Sequence, residues 1–150
     1  MYYHGTNMTA ANLTRDYGFF SSHSTFGYTY LVGVGMTKDI DVAKVYAGYS
    51  AIKFDSAPAI MEVNVPDGKW FDAAGRGLGR DLYTVVAEAA GINIHTKLYY
   101  RSISSNPPLT AFLLGLGFDG IIIDSTTRHK ASEHIWLKPT SLKLARTIAA

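Results

Sequence analysis

Short β-prone runs follow one another along this chain, interrupted by a few helical stretches and without regular strand–helix alternation, which restricts it to an α+β architecture. A doubly wound parallel sheet would need a crossover helix after nearly every strand. Here Met1 to Tyr3, Tyr17 to Ser21 and Tyr28 to Met36 are strand candidates in close succession, the last rich in aromatic and β-branched residues. Met61 to Val65 alternates apolar and polar before the turn residues Pro66-Asp67-Gly68, and Lys69 to Phe71 continues the sheet. Gly120 to Ile123, His134 to Leu137 and Leu142 to Ala145 complete the strands.

Three helices are expected between them. After Thr37-Lys38-Asp39, with Asp39 as N-cap, Val42, Ala43, Tyr46 and Ala47 share one face of a short helix that Gly48 stops. From Asp81, the residues Leu82, Val85, Val86, Ala89 and Ala90 recur at helical spacing, and Gly91 lies just beyond. Pro107-Pro108 starts the third, which carries Leu109, Phe112 and Leu113 and ends at Gly115 or Gly117. No repeat, low-complexity tract or charge block divides the 150 residues, so a single domain over 1–150 is expected.

Composition narrows the function classes. With 47% hydrophobic and 13% aromatic residues the chain is globular, not disordered. A formal charge of +2 does not indicate a nucleic-acid partner. Cysteine is absent, which removes disulfides, thiolate metal sites and thiol nucleophiles and fits a reducing cytoplasm. The histidines lack metal-ligand spacing, so no metal is expected. Neither a leader pattern nor a membrane-length apolar run is present, so a cytoplasmic protein without membrane contact is expected.

Familiar catalytic signatures are missing: no Gly-x-Ser-x-Gly elbow, no phosphate-cradling loop, no dinucleotide fingerprint and no His-Glu-x-x-His. The run Gly75-Arg76-Gly77-Leu78-Gly79-Arg80 matches no nucleotide motif and reads as a surface loop, with an anion-binding loop as the alternative. Three other segments stand out together. They are Tyr3-His4-Gly5-Thr6 at the end of the opening strand, Gly33-Val34-Gly35-Met36-Thr37 before the helix bearing Tyr46, and Glu133-His134-Ile135-Trp136 opening a late strand. Taken singly, each has a structural explanation: a strand-end histidine that makes hydrogen bonds, a core tyrosine and a solvated charge.

In combination and in this order, the three resemble the ADP-ribosyltransferase superfamily, in its His-Tyr-Glu branch that includes diphtheria toxin and the poly-ADP-ribose polymerases. The resemblance spans most of the chain. His4-Gly5-Thr6 matches the first motif, Gly33-Val34-Gly35 with Tyr46 eleven residues after Gly35 keeps the frame of the second, and Glu133 with the residues after it matches the third. Leu116-Gly117-Phe118-Asp119-Gly120 and Pro139-Thr140-Ser141-Leu142 look like the ending of small bacterial and phage members, some of which act as toxins or effectors on host proteins. Position 35 departs from the pattern, since the family places its first tyrosine there.

The resemblance implies an ADP-ribosyltransferase-like split β-sandwich with short flanking helices and a transferase that uses NAD as co-substrate to modify a protein acceptor. His4 would bond the adenine-side ribose, the Gly5 backbone would hold the nicotinamide carboxamide, Thr6 would add a hydroxyl, and Tyr46 would stack on the nicotinamide. Tyr30, Tyr28 or Phe20 would supply the ring missing at Gly35. Arg76, Arg80, Lys97 and Arg101 are candidates for the pyrophosphate. Glu133 would be the catalytic residue. Nicotinamide departs from a cationic linkage without protonation, so one carboxylate that stabilises positive charge developing on the ribose suffices, where glycoside hydrolysis needs two.

Two other readings start from the same residues. A noncatalytic interaction module with a degraded site follows if Gly35 leaves the pocket incomplete. An NAD glycohydrolase follows if water is the acceptor. Glu133 argues against the related tRNA 2′-phosphotransferases, whose site is basic.

Overall fold

The computed structural model describes residues 1–20, 22–23, 32–75, 108–124 and 132–150. Within them the chain forms β1 (Tyr2–Asn7), α1 (Met8–Tyr17), β2 (Ser22–His23), β3 (Val32–Met36), α2 (Ile40–Phe54), β4 (Pro58–Asn64), β5 (Trp70–Asp72), α3 (Pro108–Gly115), β6 (Gly120–Asp124), β7 (Ser132–Trp136), a 3-10 turn (Pro139–Ser141) and β8 (Lys143–Ala149). The strands make two sheets, one ordered β1-β4-β8 and the other β2-β3-β7-β6-β5, so the fold is α+β. Among the described strands only the β5–β6 pair is parallel.

Strand alternation divides each sheet into two faces. Val34, Met36 and Trp136 from the five-stranded sheet meet Ala59, Met61 and Val63 from the three-stranded sheet in one buried cluster. Trp136 is fastened there by its indole N–H, which donates to the Lys138 carbonyl at 3.0 Å and the Ser141 hydroxyl at 2.8 Å. The other face of the three-stranded sheet carries α2, through Ala43, Ala47 and Ile60, all nearly inaccessible to solvent. The small alanines let the helix backbone approach closely: a Cβ on Gly5 would lie 2.0 Å from the Ala43 carbonyl oxygen.

The two sheets also touch through backbone. Tyr3 and Thr37 exchange reciprocal hydrogen bonds of 2.8 and 2.9 Å, joining the start of β1 to the end of β3. Beyond that bridge the strands diverge.

Most expected elements occur close to where the sequence places them. Asp39 caps α2, its carboxylate accepting from the Asp41 amide at 2.9 Å. Four expectations need correction or stand, wholly or in part, outside the described residues. Tyr17 to Phe20 is not a strand, and Ser21 lies outside the described residues: Tyr17 ends α1, a helix that the apolar pattern does not announce, and Gly18 at φ 87° turns the chain. Gly48 does not stop α2, which continues to Phe54 and closes on Asp55 in the left-handed region at φ 48°. Gly48 has open space around it and ordinary helical backbone, so nothing there forces an end. The helix expected from Asp81 lies outside the described residues, as do Tyr28 to Leu31 of the strand expected from Tyr28.

The segments around Asp119 and Pro139 form a structural joint. The Asp119 carboxylate accepts from the Lys69 amide at 2.8 Å and from the Lys138 ammonium at 2.5 Å, and the Leu137 amide donates to the Asp119 carbonyl. Those contacts lock the segment before β6 to the segment after β7. No helix among the described residues is long and apolar enough to cross a membrane.

Candidate active site

A cleft of about 910 Å³ opens where the two sheets diverge. That is near the upper end of the roughly 300–1,000 Å³ range of small-molecule sites. His4, Gly5, Thr6, Tyr46 and Glu133 all line it, although they come from β1, α2 and β7.

Gly5 contributes its backbone. Tyr3 spends its amide and carbonyl on Thr37, on the side of β1 away from β4, whereas the Met8 amide turns toward β4 and donates to Ala57. Because backbone groups alternate in direction along a strand, the Gly5 amide and carbonyl project from the same edge as those of Tyr3. No described strand continues pairing along that edge past Thr37, since β1 is the terminal strand of its sheet. Among the described residues nothing pairs with the Gly5 amide and carbonyl, a donor and an acceptor in register on the edge that lines the cleft. Absence of a side chain at position 5 serves the approach of α2, and it also sets the Tyr46 Cβ 2.9 Å from where a Gly5 Cβ would sit.

His4 is partly buried and ties the two sheets together. Its Nδ1 lies 2.6 Å from the Gly35 carbonyl oxygen. A carbonyl only accepts, so Nδ1 carries the proton and Nε2 is left as an acceptor. Burial holds the imidazole below its ordinary pKa, outweighing the opposing effect of the Gly35 bond, which keeps the ring neutral.

Glu133 is the second residue of β7 and only 4% exposed. Alternation sends Glu133 and Ile135 to the cleft and His134 to the other face, where its ring meets Tyr2 and Trp70 edge-on. The Oε2 atom of Glu133 is enclosed and has no hydrogen-bond partner. Burial alone pushes its pKa up to about 8. A buried carboxyl left unpaired beside an open cavity is costly to folding, and such groups concentrate at functional sites.

Gly35 lies directly beneath this carboxyl. A Cβ there would sit 2.6 Å from Glu133 Oε1, so no side chain at position 35 fits with Glu133 in this position. Of the rings expected to compensate, Phe20 is 63% exposed and does not line the cleft, while Tyr28 and Tyr30 lie outside the described residues. Arg76, Arg80, Lys97 and Arg101 also lie outside them.

The cleft extends further than the sequence reading reached. Tyr49, Ser50 and Lys53 follow Tyr46 at i+3, i+4 and i+7 on α2, one helical face that a stop at Gly48 hides. Opposite them stands α1, capped by Asn7, whose side chain accepts from the Ala10 amide at 3.0 Å and donates to Ser50 at 2.8 Å. Among the described residues lining the cleft, Lys53 is the lysine, and its ammonium rests 5.2 Å from the Phe54 ring centroid. Compared with protein-family models, curated proteins and solved structures, the chain has no significant match.

Proposed function

We propose that the protein is an NAD-dependent mono-ADP-ribosyltransferase acting on a protein acceptor. One observation carries the reading: the open, paired backbone groups of Gly5 and the buried, unpartnered carboxyl of Glu133 face the same cleft. A primary carboxamide offers one acceptor and one donor in the same plane, which complements the Gly5 amide and carbonyl. Tyr46, beside Gly5, supplies a ring face for the attached pyridinium, a contact worth about 0.5–1.5 kcal/mol beyond the area it buries. His4, neutral and with Nε2 free to accept, is suited to a ribose hydroxyl.

Glu133 supplies the chemistry. Cleavage of the bond from ribose to nicotinamide leaves positive charge developing on the sugar, and an ionised carboxylate at the adjacent hydroxyl stabilises that charge more than it stabilises the ground state. In a site with little water the effect is larger than on a surface. The acceptor nucleophile then forms the new bond to the anomeric carbon as nicotinamide leaves with the bonding pair. Resemblance of the segments around Asp119 and Pro139 to the ending of small bacterial and phage members of the superfamily supports a protein acceptor and an effector role.

Incubation with NAD labelled in the adenylate half, in a bacterial lysate, tests this. Nicotinamide release together with label on a protein supports the transferase. Free ADP-ribose without labelled protein indicates a glycohydrolase, and tight NAD binding without release indicates a noncatalytic module. That last reading is favoured by Gly35, which leaves one side of the nicotinamide without the family's ring.

A further inference from the structure

Among the described residues no cation meets the Glu133 carboxyl, and this bears on which nicotinamide the cleft accepts. The neighbouring strand, β6, sets the apolar Ile123 opposite Glu133. From β1 come Tyr3 and His4, the latter a neutral imidazole with Nδ1–H committed to the Gly35 carbonyl. From β3 come Gly33, Gly35, Met36 and Thr37, which carry no charge. From α2 come Tyr46, Tyr49 and Lys53, and Lys53 is exposed near the last turn with its ammonium over Phe54. On β7 itself His134 points to the opposite face, against Tyr2 and Trp70. Among the described residues no ion pair and no hydrogen bond reaches Oε2 of Glu133.

Resting on the NAD reading above, we infer that Glu133 makes the cleft selective for the oxidised, positively charged nicotinamide ring over the neutral reduced ring, and that binding of the charged ring displaces the carboxyl proton into solvent. An enclosed carboxyl without a cation is held in its neutral form, because burial penalises the charged one. A pyridinium entering the cleft is the missing counter-charge. It favours the carboxylate, whereas a dihydropyridine offers nothing in exchange for the proton. The protein thus enters the bound state with the ionised Glu133 that charge stabilisation on the ribose requires.

With the free carboxyl titrating at about 8, roughly nine-tenths of the molecules carry the proton at pH 7 and about one-tenth at pH 9. Calorimetric titration of the protein with NAD, in buffers of different ionisation enthalpy, reads the number of protons released from the buffer dependence of the heat. The expected result is close to one proton per NAD at pH 7, falling to about a tenth at pH 9, with NADH bound at least about tenfold more weakly and without proton release. In Glu133→Gln the proton release should vanish and the preference for NAD over NADH should narrow to a few-fold. NAD binding with no buffer-dependent heat, or equal affinity for the two nucleotides, overturns the inference and leaves the NAD reading standing. Proton release that persists in Glu133→Gln also overturns it, by placing the titration elsewhere. Failure of the wild-type protein to bind either nucleotide overturns both.

Discussion

Replacing Glu133 with glutamine should change stability by an amount that grows with pH. In the folded protein the carboxyl titrates at about 8, against an ordinary value of 4.5. Between those values the folded state keeps a proton that the unfolded chain has lost. Unfolding therefore releases a proton, and the stability of the wild-type protein falls as pH rises from about 4.5 to about 8. At about 1.4 kcal/mol per pH unit, the loss reaches roughly 3 kcal/mol by pH 7 and between 4 and 5 kcal/mol by pH 8.5. Glutamine has the same shape and no titration. Its buried amide carries an unmade hydrogen bond costing about 1–3 kcal/mol, but that cost is the same at every pH. Urea unfolding of both proteins from pH 5 to pH 8.5 should therefore show the stability difference moving in favour of Glu133→Gln by roughly 4 kcal/mol across the range. Parallel stability curves for the two proteins would show that Glu133 is solvated or paired in solution and would refute the reasoning.

Other substitutions test the parts separately. His4→Ala should weaken NAD binding by about tenfold, since it removes both the ribose acceptor and the tie to the Gly35 carbonyl that joins the sheets; equilibrium binding reads this directly. Gly5→Ala should destabilise by roughly 3 kcal/mol or more in thermal or chemical unfolding, because its methyl would meet the Ala43 carbonyl oxygen 2.0 Å away and α2 would have to move. Gly48→Ala should stabilise by about 0.5–1 kcal/mol and leave NAD binding unchanged, since the site is helical with open space around it.

What the sequence disclosed follows from how local each signal is. The Asp39 cap, the strand read from Met61 onward and the Ile121-Ile122-Ile123 strand rest on neighbours in the chain, and the structure has each of them, although β4 ends at Asn64 and buries Glu62 along with Met61 and Val63. Helix α1 escaped because Ala11 is its one buried residue, so it lacks the apolar stripe by which amphipathic helices are read. Its end misled for a related reason: Tyr17 and Phe20 look like strand residues but are 73% and 63% exposed. Gly48 looked like a stop because glycine weakens helices, yet packing of Ala43 and Ala47 against Ile60 on one side of it and a closing αL residue at Asp55 carry α2 through.

The candidate site was legible through three matched segments, not through periodicity. No local pattern shows that β3 pairs with β7, placing Gly35 opposite Ile135 and Met36 opposite His134 and so bringing Gly35 beneath Glu133. Nor does it show that the Tyr3–Thr37 bridge leaves the Gly5 backbone open. Those features depend on pairing between distant strands, where loop closure and not local propensity decides the geometry.

The most direct measurement of the central claim is the rate of nicotinamide release from NAD by the wild-type protein and by Glu133→Gln, with acceptor lysate present and NAD affinity measured in parallel. The account predicts release by the wild-type protein, a fall on the order of a hundredfold in Glu133→Gln, and NAD affinity within a few-fold of wild type, since the carboxylate acts chiefly on charge that exists in the transition state. No release by the wild-type protein, or equal release by the two proteins, would contradict it.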